Sequence, residues 1–118
     1  MKRPEKETTP EIIKWLQGQG CMAWRQNSGS IRVGTRTINM GGKGQPDIMA
    51  ILPNGTFMAI ENKSNGSTIT PEQSAWLADA VRHKAHVIVA LKGLEDVVSY
   101  FETVLSGRGE LFPLQLHP

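Results

Sequence analysis

A single cysteine, Cys21, stands alone in the 118-residue chain, so neither an intramolecular disulfide framework nor a cysteine-rich zinc site can be built from it. Cys21 itself reads as a small buried or half-buried thiol. Long apolar runs are missing too: the most extended, such as Val87 to Leu91, are far too short to cross a bilayer. The basic opening Met1-Lys2-Arg3 leads into no apolar signal-peptide core, and the expectation is a cytoplasmic address. No internal repeat or low-complexity tract is evident. Hydrophobic residues at 39% and charged residues at 20% place the chain among folded globular proteins rather than disordered ones. Its length suits one domain, expected over residues 9–118 behind a flexible, charged tail at 1–8.

One absence carries more information. Between Glu11 and Asp47 there is no acidic residue, while Lys14, Arg25, Arg32, Arg36 and Lys43 all fall inside that interval. The overall net charge of +2 says little about partners, but such a stretch suits phosphate contact, since each cation near a nucleic-acid backbone displaces condensed counterions. An ordinary solvated loop that lacks acids would look the same.

Along the chain, Thr9-Pro10-Glu11 reads as a helix start: a hydroxyl cap, a proline in the first turn and an acid at the positive dipole end. Ile12, Trp15 and Leu16 supply its apolar stripe, and Gly18 or Gly20 its end. Met22 to Gln26 fits a strand. Ile31-Arg32-Val33 and Arg36-Thr37-Ile38 can pair as a hairpin across Gly34-Thr35. Asp47 to Leu52 and Thr56 to Lys63 form a second hairpin around Pro53-Asn54-Gly55. Thr70-Pro71-Glu72-Gln73 carries a capping-box signature before the apolar face of Trp76, Leu77, Ala80 and Val81. Val87 to Leu91 is a buried-type strand, and Leu94 to Leu105 a helix with Val97, Val98, Phe101 and Leu105 inward and Gly107 beyond its end. The predicted fold is α/β, a mixed sheet flanked by helices in the order α-β-β-β-α-β-α with a β-rich loop after the first strand.

The narrowest chemical signal is Pro46-Asp47 followed fourteen positions later by Glu61-Asn62-Lys63. Strand alternation puts Glu61 and Lys63 on one face with Phe57 and Ala59, and hairpin pairing brings Asp47 near Glu61. Two adjacent carboxylates repel unless a cation lies between them or one holds a proton. Oxygen-rich sites of this kind suit Mg²⁺ or Mn²⁺, and the Asn62 backbone carbonyl could add a ligand. Such a metal activates water and neutralises charge on a phosphate, while Lys63 positions the water or stabilises the developing charge. A salt-bridged hairpin end, Lys63 with Glu61 or Asp47, is the bland alternative.

Gln73 lies four residues before Leu77 and seven before Ala80, on the helix face turned to the sheet, where an amide needs a partner. It either caps its own helix or orients the water, a phosphate oxygen or Lys63. Glu11 is explained by dipole and capping effects, and could alternatively reach the metal as an extra ligand. Gly41-Gly42-Lys43-Gly44 lacks the Walker spacing; it lets a phosphate approach the backbone or is simply a flexible loop. His83, His86 and His117 have no metal-ligand spacing and read as surface or helix-end residues.

Taken together, Gly44-Gln45-Pro46-Asp47-Ile48, Ile60-Glu61-Asn62-Lys63, and Thr70-Pro71-Glu72-Gln73 with Trp76-Leu77 resemble the VRR-NUC family of the PD-(D/E)XK nuclease superfamily. The resemblance runs from about Glu11 to Phe101 and implies a restriction-endonuclease-like core. Small stand-alone members, often from bacteriophages, look like homodimeric nucleases acting on branched DNA such as four-way (Holliday) junctions, here in a bacterial cell or phage-infected host. Carried over, it implies Asp47 and Glu61 as metal ligands with the Asn62 carbonyl, Lys63 and Gln73 as catalytic residues, and Glu11 at a frequently acidic helix position. Trp24 to Gly29 resembles a family strand and loop in which Arg25 and Asn27 contact substrate. The expected function is a Mg²⁺- or Mn²⁺-dependent endodeoxyribonuclease, with a non-catalytic DNA-binding module on the same core as the alternative. Two departures stand out. Asn62 replaces a usually apolar residue, hinting at a less buried strand end, and Ala85-His86 replaces the glycine that usually follows the second helix.

Overall fold

The computed structural model describes residues 2–26, 30–39 and 44–106. Helix α1 spans Glu5–Gly18, α2 Pro71–Arg82 and α3 Leu94–Tyr100, the last continued by a π-helical turn over Phe101–Leu105. The strands are β1 Met22–Arg25, β2 Ser30–Val33, β3 Arg36–Asn39, β4 Ile48–Ile51, β5 Phe57–Asn62 and β6 His86–Ala90. A four-stranded sheet runs β1-β4-β5-β6, with β5 and β6 parallel and the other pairs antiparallel. β2 and β3 form a separate hairpin in which Val33 faces Arg36 across Gly34-Thr35, and Gly34 takes the positive φ that a two-residue turn requires. The mixed α/β architecture matches the sequence expectation.

The sheet is packed on both faces. Ile48, Ala50, Leu52, Met58, Ile60, Ile88 and Ala90 meet Ile12 and Leu16 of α1 and Val97, Phe101 and Leu105 at the C-terminal side. Each fully buried aliphatic side chain there stabilises the fold by roughly 2 kcal/mol. The opposite face is thinner: Met49 and Ala59 pack against Leu77 of α2, with Trp24, Trp76, Val87 and Val89 half-buried around them. Val81, expected on the apolar face of α2, is exposed instead.

The helix start expected at Thr9-Pro10 is corrected. α1 opens at Glu5, so residues 5–8 of the predicted tail are helical and Pro10 lies inside the helix. Thr8 and Thr9 are buried, and their hydroxyls accept hydrogen bonds from Asn62 Nδ2 at 2.8 and 2.9 Å instead of capping a helix. Arg3 adds a tie from outside, bridging to Glu7 and Glu11. Tertiary partners thus carry the helix past a proline that local rules place at its start.

His86 is likewise corrected. It is buried on β6, with Nδ1 2.7 Å from the Tyr100 hydroxyl, rather than at the surface. The segment before it leaves α2 through Lys84 at φ 74°, so a lysine takes the left-handed position expected of glycine. Cys21 is buried as expected, and burial pushes its thiol up to about 11.

Candidate active site

Register assembles the site. Ile48 pairs with Ile60, so one residue further along the antiparallel ladder Asp47 stands across from Glu61. Cross-strand partners share a face, and alternation puts that face on the α2 side with Met49 and Ala59. β1 extends the row: the Gln26 N–H donates to the Asp47 carbonyl at 2.7 Å. Gln26 is itself held by Trp24 Nε1 (3.1 Å) and donates to Gln45 Oε1 (3.1 Å), which fixes the chain entering Asp47. Asp47 Oδ2 then accepts from the Asn62 backbone N–H at 2.9 Å.

Glu61 is 1% exposed, which is where a carboxylate is most costly. Its Oε1 accepts from Gln73 Nε2 at 3.2 Å and lies 3.8 Å from Lys63 Nζ. Its Oε2 is buried, and no N–H or hydroxyl of the described residues donates to it. Burial, then Asp47 through a carboxyl–carboxyl hydrogen bond that forms only while one of the two keeps a proton, and by its charge, push the Glu61 carboxyl up to about 8, against the opposing pull of Lys63. Lys63 is buried, and its backbone N–H is anchored on the Ala90 carbonyl at 2.9 Å.

Gln73 caps its own helix and also turns a donor to the site, towards Glu61 rather than Lys63. Its Oε1 accepts from the Thr70 N–H (2.9 Å) while its own N–H donates to Thr70 Oγ1 (3.1 Å), a complete capping box. That leaves Nε2 for Glu61. Gly44, three residues before Asp47, packs closely on the same helix end: its φ is +82°, and a Cβ there would collide with the Glu72 carbonyl.

The first-helix acid at the site is Glu5, not Glu11. Both Glu11 oxygens are taken by Arg3, at 3.1 and 2.6 Å, which holds that carboxyl below its ordinary range. Glu11 faces a cavity of about 470 Å³ shared with Arg3, Thr8, Ser64 and Lys92, whose lining includes none of Asp47, Glu61 and Lys63. Glu5 instead stands beside Asp47. Burial and then Asp47 raise its carboxyl, with Lys63 and Arg25 acting in the opposite sense, and its Oε2 accepts from Asn65 Nδ2 at 3.2 Å. A signal for it existed: the Ile12–Leu16 stripe extends back along one helical face through Thr8 and Thr9 to Glu5.

Asn62 is fully buried, against the expectation of a less buried strand end, its side chain on the face opposite Glu61 and bonded to Thr8, Thr9 and Ser64. Arg25 is exposed at the end of β1 and within electrostatic reach of Glu5. Arg32 lies on β2 and Arg36, exposed, opens β3, both on the separate hairpin. Asn27, Lys43, Gly107 and His117 lie outside the described residues.

Among the described residues no group of three or more His, Cys, Asp or Glu side chains forms a ready-made metal cage. A Mg²⁺-type site does not need one, since that ion is commonly held by one or two carboxylates with water and substrate phosphate completing its shell. The donor set fits such an ion. Two carboxyls face each other across the ladder, and the inner one carries a buried oxygen that no N–H or hydroxyl of the described residues satisfies.

A solved structure described as a VRR_NUC domain superposes with a TM-score of 0.61 at 19% identity, covering 85% of this chain and 96% of that one, a likeness of fold. A comparison with curated proteins gave no significant match. Among the described residues, no helix is long and apolar enough to cross a membrane. The model of the VRR-NUC domain matches residues 3–91, which takes in Glu5, Asp47, Glu61, Lys63 and Gln73, and the chain therefore belongs to the VRR-NUC family of nuclease-type domains.

Proposed function

We propose that this chain is a Mg²⁺- or Mn²⁺-dependent endodeoxyribonuclease that hydrolyses phosphodiesters in branched DNA, four-way junctions in particular, as a two-fold dimer in a bacterial cell or phage-infected host. The observation that carries the reading is the Glu61 carboxyl, buried near the end of β5 between Lys63 and Gln73 with one oxygen that no N–H or hydroxyl of the described residues satisfies. A structural salt bridge has no need of an unsatisfied buried oxygen, which costs about 1–3 kcal/mol.

Asp47, Glu61 and the Asn62 backbone carbonyl are the groups that would hold the cation, with Glu5 as an outer carboxyl beside Asp47. Bound there, the cation supplies Lewis acidity and offsets charge on the scissile phosphate. Gln73 fixes the Glu61 carboxylate by donating to Oε1, and the Asn62 N–H fixes Asp47. Lys63, tethered through its backbone to β6, presents an ammonium that orients the attacking water and stabilises the charge developing on phosphate oxygens. Arg25, exposed at the rim, takes a neighbouring backbone phosphate. Arg32, Arg36, Asn27 and Lys43 belong to the acid-free interval that extends this contact. In a dimer, two such centres would cut symmetrically related strands.

A panel of linear duplex, flap and four-way substrates, each with Mg²⁺ and with Mn²⁺, tests the proposal. Preferential cutting of the junction supports it. Equal cutting of linear duplex removes the branched preference, and no cutting of any substrate removes the catalytic reading in favour of a DNA-binding module.

A further inference from the structure

Asn62 acts towards both faces of the sheet. Its backbone N–H orients Asp47 on the α2 side, while its side chain points to the α1 side and is fully buried. There Nδ2 donates to Thr8 Oγ1 (2.8 Å) and Thr9 Oγ1 (2.9 Å), and Oδ1 accepts from the Ser64 N–H (3.2 Å) and Ser64 Oγ (2.8 Å). Thr8 Oγ1 and Ser64 Oγ, 2.9 Å apart, close the ring. The amide's two donors and two acceptor positions are all used, and a fully satisfied buried network of this kind specifies one arrangement.

The helix held by this network needs an external tie. Pro4 gives α1 no side-chain cap, and Pro10 interrupts its hydrogen-bond ladder. Glu5 lies three and four residues before Thr8 and Thr9, hence on the same helical face, and its Oε2 accepts from Asn65 Nδ2 (3.2 Å) just beyond β5, which sets it beside Asp47.

We propose that Asn62 is a positioning residue: its side-chain amide ties the first turns of α1 to the end of β5 and so holds Glu5 beside Asp47, whose own carboxylate its backbone orients. The inference rests on the metal-dependent reading above. Asn62 thereby sets how tightly a divalent cation is held, through a carboxyl on another element.

The test is Mn²⁺ calorimetry on the full chain as wild type, Asn62→Val, Glu5→Gln and the double variant, with hydrogen exchange followed in the metal-free proteins. Asn62→Val and Glu5→Gln should each weaken Mn²⁺ binding by about tenfold, the scale of outer-shell losses, and the double variant no further than Glu5→Gln alone. Exchange at the Glu7 and Thr8 amides should quicken in Asn62→Val while β5 amides keep their wild-type rates. A Thr8→Val/Thr9→Val variant, which removes the acceptors at near-constant volume, must behave likewise and decides the matter should Asn62→Val not fold. Additive losses, or undiminished Mn²⁺ affinity in Asn62→Val, overturn the role of Asn62 while leaving the metal reading intact. Absence of Mn²⁺ binding by wild type overturns the metal reading and this role with it.

Discussion

Replacing Glu61 by glutamine should stabilise the metal-free protein above neutral pH, although it deletes a residue of the candidate centre. The reason is linkage. The Glu61 carboxyl is raised in the folded state to about 8 by burial and by Asp47, whereas in the unfolded chain it titrates in the ordinary glutamate range near 4.5. Between those values the folded state retains a proton that the unfolded state has lost. Stability contributed by Glu61 is therefore fully present below the unfolded value and declines as pH rises, at up to about 1.4 kcal/mol per pH unit, until the folded carboxyl ionises. Glutamine keeps an oxygen for Gln73 Nε2 and carries no charge, so it removes this slope. The assay is urea denaturation in EDTA from pH 5 to 8.5, taking the difference between wild type and Glu61→Gln so that other titrating groups cancel. The gap should shift in favour of the variant as pH rises. A constant gap, or one moving against the variant, would refute the burial argument for Glu61.

Other substitutions separate the parts of the site. Gln73→Ala loses the capping box and the donor to Glu61, and should cost about 1 kcal/mol by denaturation; Gln73→Glu keeps the cap but sets a like charge against Glu61, so it should retain much of that stability while losing cleavage. Equal cleavage by Gln73→Glu and wild type would show that the Glu61 contact is idle. Gly44→Ala should destabilise by roughly 1–3 kcal/mol, since it combines left-handed backbone with a collision at the Glu72 carbonyl. A wild-type denaturation midpoint for that variant would contradict the close approach of Gly44 to α2.

Much of this arrangement was legible in the sequence because it depends on short periods. Alternation along β5 and a hairpin around Pro53-Asn54-Gly55 suffice to put Asp47, Glu61 and Lys63 together, and Thr70-Pro71-Glu72-Gln73 announces its own cap. What local rules missed depends on contacts distant in sequence. Thr9-Pro10-Glu11 imitates a helix start, but the threonine hydroxyls are spent on Asn62, more than fifty positions away, and the helix begins at Glu5. With that shift the acid brought to the site changes from Glu11 to Glu5, while Arg3 takes Glu11 out of reach. Asn62 and His86 look like surface residues on polarity alone; each is buried because a specific side chain satisfies it.

The central claim is that Asp47, Glu61 and Lys63 form a metal-dependent phosphodiesterase centre. Single-turnover cleavage of an end-labelled four-way junction in Mn²⁺ by wild type, Asp47→Ala and Lys63→Ala, with far-UV circular dichroism confirming that each variant is folded, tests it most directly. Wild type should cleave, EDTA should abolish that cleavage, and both folded variants should lose it. Cleavage at the wild-type rate by both would contradict the central claim.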